Sequence, residues 1–116
     1  MTDRELLEAA AKAAGIEHPG GEHSIANDGR LWDCNGLRWW NPLTDNGDAF
    51  RLAVKLRMMV DVNVCFVEVV WHDSDLSEMH DLQEDWGEGA ADDAVKQGAT
   101  RRAITRAAAE IGKAQP

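Results

Sequence analysis

The sequence predicts an α+β fold in the chain order α-β-β-α-β-β-α. Three observations predict it: an opening apolar stripe at helical spacing, an Asn-Gly pair between two short strand-like runs, and a long apolar run ahead of an alanine-rich helix. The Asn-Gly pair favours antiparallel pairing, and the long run is apolar on both faces, as in a strand covered on both sides. We therefore expect a three-layer α/β/α sandwich with a mainly antiparallel sheet of about four strands.

The N-terminal segment carries the signals of a capped helix. Thr2 and Glu5 have the spacing of a capping box, apolar residues recur at helical spacing behind them, and Gly15 is placed as a left-handed C-cap. The glycine-rich stretch 18–23 lacks the spacing of a phosphate-binding loop, so an ordinary loop is expected there.

A tight hairpin is expected next. The pair Asn35-Gly36 is a strong hairpin signal, and it joins the expected strands 30–34 and 36–40. The leucine and tryptophan residues of both runs suit a half-buried sheet.

The rest of the chain alternates helical and strand signals. The elements are expected in this order: a helix from Thr44 or Asp45 to about Met58, one long central strand over 60–72, an edge strand over 78–86, a loop or short helical turn over 87–98, and a helix over 100–111 that ends at Gly112. We expect one domain over residues 1–112 and a frayed tail over 113–116.

Charge and cysteine usage limit the classes of function. The chain has 116 residues, a formal net charge of −9 and a pI near 4.7, so direct binding to nucleic acid or to anionic lipid is not expected. The opening residues do not resemble a signal peptide, and the longest apolar run is too short for a membrane span. Two separated cysteines without metal-ligand or disulfide spacing favour a reducing cytoplasm.

No residue pattern predicts catalysis, a metal or a cofactor. The four histidines lack zinc-ligand spacing. Cys34 follows Asp33, which disfavours a thiolate, so a structural thiol is the preferred interpretation. Glu68, inside an apolar run, is either a buried functional carboxylate or, as we prefer, a solvent-facing or ion-paired one. Cys34, Trp40 and Glu68 are retained as candidates for a pocket near the Trp-Asn-Pro turn.

The charge distribution suggests a contact surface. Residues 73–93 contain nine acids and neither Lys nor Arg, and a basic helical segment follows. Such a block is usually a solvated edge, and the alternative is an acidic interaction surface. The candidate partner-binding residues are Asp81, Glu84, Asp85 and Trp86, the last as a partly exposed tryptophan beside the acids.

Two runs resemble a known family. They are WNPLTDNGDAFRLA at 40–53 and ATRRAITRAAAEIG at 99–112. Together they resemble the phage ABA sandwich domain proteins, small proteins of tailed phages and prophages. The resemblance implies an α/β/α sandwich and a phage or prophage origin, so that the expected cytoplasm would be that of a bacterial host. It implies no activity and no catalytic residues.

The function expected from the sequence is that of a phage accessory protein that binds a host or phage protein without catalysis. A sharper version is an acidic inhibitor of a host nucleic-acid-binding complex. One alternative is a small-molecule-binding or enzymatic domain with a pocket near the Trp-Asn-Pro turn, and another is a virion or assembly subunit.

Overall fold

The computed structural model describes residues 2–17, 25–26, 28–73, 75–87 and 92–115. Within these residues the elements are α1 (Asp3–Ala14), β1 (Leu31–Asp33), β2 (Arg38–Trp40), α2 (Asn46–Lys55), β3 (Met59–Val62), β4 (Phe66–His72), β5 (Met79–Asp85) and α3 (Asp93–Ala114). The α+β class is confirmed, and the element order matches the predicted one except for one additional strand. The predicted loop 18–23 lies outside the described residues.

Helix α1 has the predicted caps. The Thr2 hydroxyl accepts a hydrogen bond from the Glu5 backbone N–H at 3.1 Å and donates to the Glu5 carboxylate at 3.0 Å. Gly15 adopts the left-handed conformation at φ 71°, and the Ile16 N–H reaches back to the Ala11 carbonyl.

The first hairpin has a longer turn than predicted. Its register pairs Leu31 with Trp40 and Asp33 with Arg38, which leaves the four residues 34–37 as the loop. The Cys34 N–H donates to the Glu17 carbonyl at 2.8 Å instead of to a strand partner. Asp33 accepts from the Asn35 N–H, and Leu37, rather than the glycine, takes positive φ. The predicted hairpin is therefore confirmed, but its strands are shorter than 30–34 and 36–40, because local hydrogen bonds hold residues 34–37 in the loop.

The predicted single strand over 60–72 is two strands. β3 and β4 pair antiparallel through a turn at 63–65, and β5 pairs with the other edge of β4. Trp86 supports this turn, since its indole N–H donates to the Val64 carbonyl at 2.9 Å and its backbone N–H to the Cys65 carbonyl at 3.0 Å. Because the turn residues Val64 and Cys65 are apolar, the hydrophobic pattern does not indicate a turn between β3 and β4.

The strands form a two-stranded and a three-stranded sheet instead of one sheet of about four strands. The inner face of the three-stranded sheet carries the buried side chains Val67, Val69 and Trp71, on which α3 packs. Its outer face carries Met59 and Met79, which are 59% and 68% exposed. Within the described residues, α3 covers the inner face and no helix is seen to pack extensively on the outer face, so the expected helical cover of both sheet faces is not found there.

Helix α3 is the centre of the molecule. It packs on α1, on α2 and on β4 and β5, so buried residues occur around most of its circumference. These residues are Ala103, Ile104, Thr105, Ala107, Ala108, Ala109 and Gly112. The predicted bounds 100–111 were wrong: α3 begins two turns earlier, where Asp92 accepts from the Val95 N–H at 2.9 Å, and it continues past Gly112. None of the described helices is long and apolar enough to cross a lipid bilayer.

Candidate functional site

An open apolar groove lies between α2, the first half of α3 and β3. Its volume is about 730 Å³. Phe50 and Val54 of α2 and Val62 of β3 line it while remaining 68%, 61% and 56% exposed. Large apolar side chains held open to solvent on adjacent elements are typical of a binding surface rather than of a core.

Short side chains create the space in the groove. Ala49 and Ala53 lie on the α2 wall, and Ile104 of α3 lies at the contact of that helix with the core. Phe50 and Val54 are four residues apart, so they occupy the same side of α2 and stand beside the two alanines.

Polar contacts join the two helical walls. The guanidinium of Arg101 donates to the Leu43 carbonyl at 2.9 Å and to Asn46 Oδ1 at 2.7 Å. Asn46 in turn donates to Gln97 Oε1 at 3.0 Å. These bonds fix the separation of the walls, so the groove exists before any partner arrives.

The sequence of the second helix carries a signal for this groove. The apolar residues of the second helix cover a wider face than the helix buries against the core. Phe50 and Val54 are the apolar residues of this face that remain exposed. The first two turns of α3, which form the other wall, were expected to be a loop or a short helical turn.

The predicted partner-binding residues do not share one surface. Asp81 and Asp85 are exposed on the outer face of β5, whereas Glu84 lies on the inner face and forms an ion pair with Arg106. Trp86 is half-buried, and its N–H is already used by the Val64 carbonyl.

The outer face of the three-stranded sheet is nevertheless acidic. Asp61, Glu68, Asp81 and Asp85 lie on it, since residues paired across neighbouring strands point to the same side. The three strands contain neither Lys nor Arg. This face, which we call the acidic sheet face, is a second candidate surface.

The predicted pocket residues are not brought together. Cys34 is exposed in the hairpin loop, Trp40 is buried in the core, and Glu68 lies on the acidic sheet face, where Gln83 donates to it at 3.4 Å. A cleft of about 290 Å³ does lie at the Trp-Asn-Pro turn, but its lining includes none of the three. The position of Glu68 fits its interpretation as a solvent-facing carboxylate, whereas the exposure of Cys34 in a loop gives no support to its interpretation as a structural thiol.

A small cluster of residue types that can ligate metal ions lies at the end of the β4–β5 hairpin. His80 Nε2 lies 2.7 Å from Asp73 Oδ1 and 3.8 Å from Glu78 Oε2, and Trp71 stacks on the imidazole with ring centroids 5.5 Å apart. In the same loop Ser77 donates to Asp75, and these hydrogen bonds lower the pKa of that exposed carboxyl. The hydrogen bond between the His80 imidazole and the Asp73 carboxylate joins the two ends of the hairpin loop, and this structural role is enough to explain the cluster.

Comparison with family models, with curated proteins and with solved structures finds no match to this chain. The resemblance to the phage ABA sandwich proteins therefore stays a prediction from the two sequence runs.

Proposed function

We propose that this chain is a non-enzymatic protein-binding module whose groove between α2, α3 and β3 receives an apolar segment of a partner protein. The exposure of Phe50, Val54 and Val62 around one groove is the observation that carries the proposal. A phage or prophage accessory role, as the resemblance implies, is compatible with such a module.

The shape of the groove favours a polypeptide over a small molecule. Small-molecule sites bury most of their ligand, whereas Phe50, Val54 and Val62 are more than half exposed along an open cleft. A helix laid between two helical walls would cover them, as in other helix-in-groove complexes.

Substitution of Phe50 by aspartate tests the proposal. We expect Phe50→Asp to weaken binding of a fluorescent amphipathic helical peptide about tenfold or more, because it places a charge at the centre of the apolar contact. Fluorescence anisotropy gives the affinity, and circular dichroism confirms that the variant folds.

The matched control is Val64→Asp. Val64 is apolar and 90% exposed, and it lies in the β3–β4 turn outside the groove lining. Equal affinities of the two variants, or unchanged binding by Phe50→Asp, would contradict binding in this groove.

The acidic sheet face supports a second candidate function. Four carboxylates on strands that lack Lys and Arg suit a basic protein surface, as an acidic inhibitor of a nucleic-acid-binding complex would need. Glu84 is left out of this surface, because it lies on the inner face beside Arg106.

Charge reversal tests this second candidate. We expect the double variant Asp81→Lys/Asp85→Lys to lose capture of basic host proteins in a pull-down at low salt, with the loss fading as salt rises. Glu17→Lys, an exposed charge reversal outside the sheet, serves as the control. Capture that is unchanged by the double variant would rule this face out.

A further inference from the structure

We infer that the groove selects an acidic amphipathic helix, with apolar residues against Phe50 and Val54 and flanking carboxylates against Arg57, Lys96 and Arg101. This inference rests on the proposed function and adds the chemistry of the partner segment to it. It follows from the charges at the rim, from the backbone at Arg57 and from the shape of the walls.

The rim of the groove is positive in a strongly negative protein. Arg57, Lys96 and Arg101 line it against one carboxylate, Asp93, whereas the whole chain carries a net charge of −9. Attraction between this rim and an acidic segment would favour that segment over a basic one, which the rim would repel.

The rim cations are available for pairing. Most arginines of the chain form ion pairs, but Arg57, Lys96 and Arg101 form none with the carboxylates in the described part of the chain. Among the described residues, the Arg101 guanidinium donates to the neutral oxygens of Leu43 and Asn46. An incoming carboxylate would therefore meet three cations without first displacing any acid of the described part of the chain.

Arg57 occupies a backbone position that favours glycine. It ends α2 at φ 56°, with its N–H bonded to the Val54 carbonyl and the Met58 N–H bonded to the Ala53 carbonyl. This is the Schellman pattern, in which glycine is the usual residue at the left-handed position. An arginine there costs backbone strain and places a cation at the rim, which points to a role for its side chain.

The two long walls favour a helix over an extended strand. A helix presents side chains at intervals of three and four to Phe50, Val54 and the facing turns of α3, and it flanks this stripe with polar positions near Arg57 and Lys96. An extended segment would turn every second side chain away from the groove.

Three synthetic peptides of about 18 residues test the inference on the intact chain. All three have the same leucine stripe: one has glutamate flanks, one has lysine flanks, and one has glutamate flanks with a central proline that breaks the helix. We expect the glutamate peptide to bind at least about tenfold more tightly than the lysine peptide at about 0.05 M salt, with the difference shrinking at about 0.5 M. The proline peptide should bind more weakly than the intact one.

Variants assign the selectivity to the rim. Arg57→Gly should weaken the glutamate peptide severalfold without weakening the lysine peptide, while its melting midpoint stays the same or rises because glycine suits the left-handed position. Lys96→Gln should act in the same direction. Lys12→Gln is the control, since Lys12 also has no described ion pair but lies on α1 outside the groove lining.

The outcomes separate this inference from the proposed function. Equal binding of the glutamate and lysine peptides, with both lost in Phe50→Asp, would overturn the charge selection and leave the groove as the binding site. If the proline peptide binds as tightly as the glutamate peptide without proline, the inference that the partner segment is helical is wrong. Binding of none of the peptides, or binding that survives Phe50→Asp, would overturn the proposed function and this inference with it.

Discussion

Replacing Gly112 by alanine is expected to destabilise the protein by about 3 kcal/mol, although alanine favours helices more than glycine by about 1 kcal/mol. A Cβ atom at this position would overlap the Ala9 carbonyl oxygen and lie 2.9 Å from the Ala9 carbonyl carbon. Backbone atoms of α1 cannot move aside as a flexible side chain would. The two helices would have to separate along their alanine-rich contact, where Ala10 and Ala107 are fully buried.

The same substitution at Gly98 is the matched control. Gly98 lies in the same helix, and the nearest heavy atom to an added Cβ is Arg101 Nη2 at 3.6 Å, an ordinary contact. Gly98→Ala should therefore stabilise the protein by about 0.5–1 kcal/mol. Urea unfolding followed by tryptophan fluorescence measures both changes, and a Gly112→Ala variant as stable as Gly98→Ala would disprove the close crossing of α1 and α3.

Gly112 also shows why the last helix was predicted with the wrong end. A glycine after an apolar periodic segment is the usual signal of a C-cap, and α1 ends at Gly15 in that way. At Gly112 the glycine instead permits a helix crossing, and that requirement comes from a backbone about a hundred residues away in the chain. Local pattern cannot distinguish the two uses.

The prediction of one strand over 60–72 was wrong for a similar reason. Hydrophobicity continues through Val64 and Cys65, so periodicity alone indicated one strand. The turn is instead held by Trp86, which follows β5 in the chain and bonds to both carbonyls. The α+β class and the caps of α1, by contrast, depend on short-range patterns, and the structure confirms them.

The candidate site was the least predictable part. The acidic block was visible in the sequence, but alternation along β5 divides it between two faces, so Glu84 is turned from Asp81 and Asp85. The groove depends on how α2 and α3 meet, and its rim cations come from segments about forty residues apart. Such a juxtaposition arises only from tertiary packing.

Replacing Asp48 by alanine is expected to cost about 2–4 kcal/mol of stability. The buried carboxylate accepts hydrogen bonds from Arg38 Nη2 at 2.6 Å, from Arg51 Nη2 at 2.7 Å and from the buried backbone N–H of Asn41 at 3.0 Å. It thereby joins β2, the Trp-Asn-Pro turn and α2. The largest part of the loss comes from the Asn41 N–H, because the arginines are about half exposed and can return to water.

This bond pattern gives the Trp-Asn-Pro turn a structural role, and two milder variants test it. Asp48→Asn keeps an acceptor oxygen for the Asn41 N–H, so it should lose about half as much as alanine. Asp45→Asn removes a neighbouring charge but keeps the N-cap of α2, which accepts from the Asp48 N–H at 2.8 Å, so it should change stability by less than about 0.5 kcal/mol. Urea unfolding measures the stability of these variants. If Asp48→Ala is as stable as Asp45→Asn, the turn does not depend on the Asp48 carboxylate. If Asp48→Ala loses the most stability, the fold itself requires Asp48 at the Trp-Asn-Pro turn. The presence of this aspartate then needs no ligand in the adjacent cleft to explain it.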